Sequence, residues 1–89
     1  MNPNTGSRLR TTVYYTITAD GAVLLDSEKG LYFSVNDTGA TILDALKDEQ
    51  DEASIVARLV QEYSCGEEEA RADVRAFLNQ LQEAGLLRR

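Results

Sequence analysis

Residues 30–39, Gly30-Leu31-Tyr32-Phe33-Ser34-Val35-Asn36-Asp37-Thr38-Gly39, hold the change of period on which the fold turns. Up to Val35 the residues are aromatic or branched and alternate, which puts Leu31, Phe33 and Val35 on one face of a strand and Tyr32 and Ser34 on the other. Asn36 can then accept backbone N–H bonds as an N-cap, and Asp37 suits the positive end of a helix dipole. The spacing that follows predicts a helix over Asp37–Lys47 with Ala40, Ile42, Leu43 and Leu46 on its apolar face.

Working back from this junction, Ala22–Asp26 is a second strand, joined to the third through Ser27-Glu28-Lys29-Gly30, a polar turn ending in glycine. Thr11–Thr18, with Val13, Tyr14, Tyr15 and Ile17, is a first strand, and Asp20-Gly21 is a strong two-residue hairpin signal. Residues 1–10 contain Pro3, Gly6 and two Asn without periodicity, so they are expected to form a flexible tail before a domain spanning 11–89. Working forward, Asp51 caps a helix over Glu52–Tyr63 whose buried stripe is Ile55, Val56, Leu59, Val60 and Tyr63. A third helix starts after Gly66 with Glu67, Glu68 and Glu69 in its first turn, the alternative being a Ser64-x-x-Glu67 capping box. It carries Ala70, Val74, Phe77, Leu78 and Leu81 on one stripe and ends at Gly85 in a left-handed cap, after which Leu86 and Leu87 fold back. Three strands in an antiparallel meander and then three helices make an α+β, winged-helix-like domain.

With 89 residues, 43% of them hydrophobic, the chain supports one core. A domain of this size buries only about 60–65% of its unfolded surface, which leaves little volume for an enclosed active site. Nine Lys and Arg against fifteen Asp and Glu give a net charge of -6, unsuited to displacing counterions from nucleic-acid phosphates. Cys65 is the only cysteine and there is no histidine, so an intrachain disulfide, the usual zinc ligand sets and the commonest general base are all missing. An enzyme, a metal site and a cofactor are therefore not expected. The sequence has neither a membrane-length apolar run nor the apolar region of a signal peptide, so a cytoplasmic location and no membrane partner are expected.

Several motifs have plain structural explanations. Consecutive helical residues point 100° apart, so Glu67-Glu68-Glu69 complements the helix dipole and does not converge on a cation. Cys65 lacks a partner base and reads as a small buried hydrophobe. Tyr14, Tyr15, Tyr32 and Phe33 lack the basic groove of a nucleic-acid stacking platform and read as strand packing. A helix-turn-helix in the second and third helices is disfavoured, because Arg71 and Arg75 are outnumbered there by Glu67, Glu68, Glu69 and Asp73. The strand Leu31–Val35 is more informative. It carries no Lys, Pro or other residue that blunts a sheet edge. Two readings stand side by side: cover by the N-terminal tail, or capture of a peptide as an added strand.

Gly21-Ala-Val-Leu-Leu-Asp26, the Tyr-Phe-Ser-Val-Asn-Asp-Thr-Gly run at 32–39, and Ala72-Asp-Val-Arg-Ala-Phe-Leu-Asn-Gln-Leu81 with Gly85-Leu-Leu87 resemble the PqqD-like family. These are recognition elements for ribosomally synthesised, post-translationally modified peptides. The resemblance covers about Thr11–Leu87, with Asp37 standing where many relatives carry Pro, another residue suited to a first helical position. It implies a winged-helix-like, non-catalytic domain that binds the leader of a precursor peptide as a strand beside the third strand, in a groove against the third helix. A free-standing acidic chain of this kind is most similar to the leader-binding proteins of lasso-peptide pathways, which deliver precursor to a leader peptidase and a cyclase. The chaperone of pyrroloquinoline quinone biosynthesis is the close alternative. On this resemblance Leu31, Tyr32, Phe33 and Ser34 would supply the strand contacts. Tyr32, Val74, Phe77 and Leu81 would give the groove its apolar lining, and Asp73 or Gln80 its polar rim, the alternative being the other side of the stripe, with Arg71, Arg75 and Gln82.

Overall fold

The computed structural model describes residues 9–48 and 50–88. Strands β1 (Val13–Thr18), β2 (Gly21–Asp26) and β3 (Leu31–Val35) form an antiparallel sheet in that order, followed by helices α1 (Asp37–Lys47), α2 (Glu52–Tyr63) and α3 (Glu67–Glu83). This is the α+β order expected from the change of period at Asn36.

The caps explain the helix bounds. The Asn36 side chain accepts the Gly39 N–H at 2.9 Å and Asp51 accepts that of Ser54 at 2.9 Å, each satisfying an orphan donor of a first turn. Ser64 closes α2 in the left-handed region at φ 53°, so no capping box forms and α3 begins after Gly66. Gly85, at φ +76°, ends α3 and turns Leu86 into the core.

One face of the sheet is covered. Ala22 and Leu24 of β2 are buried against Ile42, Leu43 and Leu46 of α1, Ile55 and Leu59 of α2, and Ala70 and Val74 of α3. At the margin of this core the Tyr15 hydroxyl donates to Asp44 Oδ1 at 2.7 Å. Burial, reinforced by the Asp44 carboxylate, holds the phenol above its ordinary pKa of 10.0. Asp26, the buried acid, accepts the N–H groups of Glu28 and Lys29 and so braces the β2–β3 turn.

Three details depart from the pattern read in sequence. The hairpin places Ala19 and Asp20 in its loop, because Thr18 opposes Gly21 and the glycine is the first residue of β2. Gly21 has φ +149°, and a Cβ there would collide with Val35 O and come within 2.7 Å of the Asn36 carbonyl carbon. The β3–α1 junction thus crosses directly over the first turn. Leu9, placed in the flexible tail, is buried and bridges Leu87, and the Arg10 N–H donates to Leu86 O at 2.9 Å. An apolar residue next to a core edge gains by packing there. The rest of the expected tail, residues 1–8, lies outside the described residues. Tyr63 lies on the α2 stripe but is exposed. Its position in the last turn carries it past the core, and its hydroxyl hydrogen-bonds Thr41 Oγ1 at 2.8 Å and donates to Asp37 O at 3.1 Å.

Candidate functional site

The register decides which strand groups remain available. Antiparallel partners alternate between bonded and non-bonded pairs. The two-residue loop closes on Thr18 and Gly21, and the Ser27 N–H donates to Thr12 O at 2.9 Å, so Thr12–Ser27, Tyr14–Leu25, Thr16–Val23 and Thr18–Gly21 are the bonded rows of β1 and β2. Ala22, Leu24 and Asp26 consequently turn their main-chain groups to β3, where they meet Val35, Phe33 and Leu31. Tyr32 and Ser34 are left with N–H and C=O groups directed to the open side of β3, and no strand among the described residues pairs there.

Below that open side, β3 and α3 flank a cleft of about 370 Å³. Val35, Ile42 and Phe77 form its apolar part, while Ser34, Asp73 and Gln80 give it polar walls. Gly39 sets its depth. A Cβ at that position would stand 2.9 Å from Phe77 Cε1 and 3.0 Å from Val35 Cβ, so only glycine lets the ring and the strand approach α1 this closely. Asp73, Phe77 and Gln80 follow one another at four and three residues, which stacks them along one line of α3.

The other residues expected at the site take different places. Phe33 is half-buried on the covered face of the sheet, and Leu31 lies on the same face at the exposed end of β3. Tyr32 is 72% exposed and, by alternation, points to the uncovered face, away from α3. It therefore does not line the cleft with Phe77, and it can touch only those side chains of an added strand that share its face. Val74 and Leu81 are buried in the core, and neither is among the residues that line the cleft. A helical stripe wide enough to meet both a core and a groove divides between them, and these two fall on the core side. Gly39 and Ile42 line the cleft without having been expected there. A glycine on the apolar face of a helix, where Ala would be the ordinary choice, is the trace they leave in the sequence.

A larger groove of about 530 Å³ runs along the opposite flank of α3, between it and α2. Arg75 reaches Glu52 across it at 3.2 Å and Arg71 pairs with Glu67 at 2.8 Å, so its cations are engaged within the protein and it has no open strand edge beside it. No group of His, Cys, Asp and Glu among the described residues could hold a metal ion.

An edge strand whose outer main-chain groups meet no other strand among the described residues, above a part-apolar cleft, makes this a small winged-helix-like recognition domain. The chain belongs to the family of the coenzyme PQQ synthesis protein D (PqqD), whose model matches residues 21–87. It is similar to two solved structures. One, "TbiB1 in complex with the TbiA(beta) leader peptide", has 29% identity and a TM-score of 0.83, with 90% of this chain and 93% of that chain covered. The other, "lasso peptide synthetase B1 complexed with the leader peptide", has 35% identity and a TM-score of 0.80, with 89% of this chain and 93% of that chain covered. No match was found among curated proteins.

Proposed function

We propose that this protein is a non-catalytic recognition protein that binds the leader of a ribosomally made precursor peptide as a fourth strand on β3. It then presents the precursor to the leader peptidase and cyclase of a lasso-peptide pathway in the cytoplasm. The observation that carries this reading is the open side of β3, where Tyr32 and Ser34 offer main-chain groups directly above the Phe77 cleft. Strand addition draws affinity from main-chain bonds and selectivity from the pockets that receive alternate side chains. The two similar structures, each a B1-type protein with a leader peptide, support the same reading. The family match also favours a second one, a PqqD-type peptide chaperone of pyrroloquinoline quinone biosynthesis.

Amide shift mapping with the precursor's leader tests the binding mode. The expected perturbations fall on β3 and on the Asp73–Gln80 line of α3; perturbations confined to α1 and α2 overturn it. Mass spectrometry of the precursor incubated with the purified chain tests the absence of catalysis, and any cleavage or mass change overturns that part. The neighbouring genes separate the two pathways, a peptidase and cyclase pair pointing to the first.

A further inference from the structure

The polar side of the cleft has a definite charge. Among the described residues, Asp73 is the one charged side chain in its lining and has no ion-pair partner. The nearby cations of α3 are committed elsewhere, Arg71 to Glu67 and Arg75 to Glu52, both on the far flank of the helix. The cleft thus has an unneutralised carboxylate at one wall, the amide of Gln80 two turns further along the same line, and the Phe77 ring between them.

A strand added to β3 places side chains above this cleft only at levels where its residues share the inner face with Phe33 and Val35. Val35 is the level that borders the cleft itself. A wholly apolar side chain there would find too little apolar floor and would strip water from Asp73 without replacing its interaction. A long side chain with an apolar stem and a cationic head satisfies both halves, its stem lying along the Phe77 ring and its head meeting the carboxylate. The net charge of -6 also attracts a cationic segment during encounter.

We infer that the leader residue level with Val35 is a lysine or arginine whose cation is received by Asp73. This rests on the leader-binding reading above and specifies the peptide that site selects. The full chain is titrated calorimetrically with its precursor's leader peptide, and contacts to Val35 in the NMR spectrum of the complex identify the residue at that level. Asp73→Asn, at an exposed helical position, is expected to keep the helical circular dichroism and to lower affinity three- to tenfold. Changing the leader's Lys or Arg to Gln should cost the same, and combining the two should add nothing further. Affinity should also fall with added sodium chloride, less steeply for Asp73→Asn. A residue other than Lys or Arg opposite Val35, or an Asp73→Asn variant with wild-type affinity and salt slope, overturns the inference while leader binding stands. A leader that does not bind the unaltered chain overturns the underlying reading, and this inference with it.

Discussion

Phe77 of α3 occupies space that Gly39 of α1 leaves open, with its Cε1 only 2.9 Å from where a Cβ on residue 39 would stand. The two helices meet the end of β3 through this one missing methyl group. Gly39→Ala should gain about 1 kcal/mol of helix propensity but displace the half-buried ring into the cleft, since Val35 on the other side belongs to the sheet and cannot retreat. The expected outcome is a small change in melting temperature and a roughly tenfold loss of leader affinity, equivalent to ~1.4 kcal/mol. Calorimetric titration beside a thermal melt measures both. Undiminished affinity would show that the ring's position does not matter to the ligand.

Tyr32 and Phe77 should separate binding from stability. Tyr32 is 72% exposed, so Tyr32→Ala is expected to leave the melting temperature nearly unchanged while lowering leader affinity about tenfold through lost contact with the added strand. Phe77→Ala removes a ring packed against the core, and a cost of about 2 kcal/mol should lower the melting temperature by roughly 10 °C as well as weaken binding. Equal melting temperatures for the two variants would contradict their placement.

Gly21 should be the least replaceable glycine. At φ +149°, with Val35 O in the path of any Cβ, Gly21→Ala is expected to cost about 3 kcal/mol or more, because strain and collision act together. Gly30, at φ +70° with nothing within 4 Å, is the control. Gly30→Ala carries only the left-handed penalty, about 1 kcal/mol. Urea midpoints of the two variants give the comparison directly.

Alkaline pH should weaken the fold through Tyr15. Its pKa is raised above 10.0 in the folded state, first by burial and then by Asp44, so the native form holds the phenolic proton more tightly than the unfolded chain does. The associated stability is fully present below pH 10 and is lost as pH rises above that value. Tyr15→Phe removes the hydroxyl and should give a shallower decline above pH 10 when both proteins are unfolded in urea across an alkaline series. Parallel curves would mean that Tyr15 is not responsible.

The order and bounds of the helices were legible in the sequence because local chemistry sets them: Asn36 and Asp51 cap, Gly85 terminates, and the apolar stripes repeat at helical spacing. The edge position of β3 was legible from the meander order of the three strands. Depth within a stripe was not legible. Val74, Phe77 and Leu81 look alike by period, and only the docking of β3 and α1 against α3 decides that Phe77 reaches the cleft while its two neighbours are sealed beneath it. Alternation separated Tyr32 from Phe33, yet which side of the sheet the helices cover is a tertiary fact. Leu9 and Gly39 were missed because the value of each comes from a distant partner, Leu87 in one case and Phe77 in the other.

The alternation that leaves Tyr32 and Ser34 facing outward also bears on how such a pair evolves. A guest strand held through two host residues satisfies them with its own amides and carbonyls, which every residue except proline supplies in full. On the proposed binding mode, only the few leader side chains that enter the cleft or touch the Tyr32 ring are selected by this contact. On the same mode, the remaining leader positions can drift without loss of this contact. A proline drifting into a guest position whose N–H is needed by Tyr32 or Ser34 would be the change the partnership tolerates least.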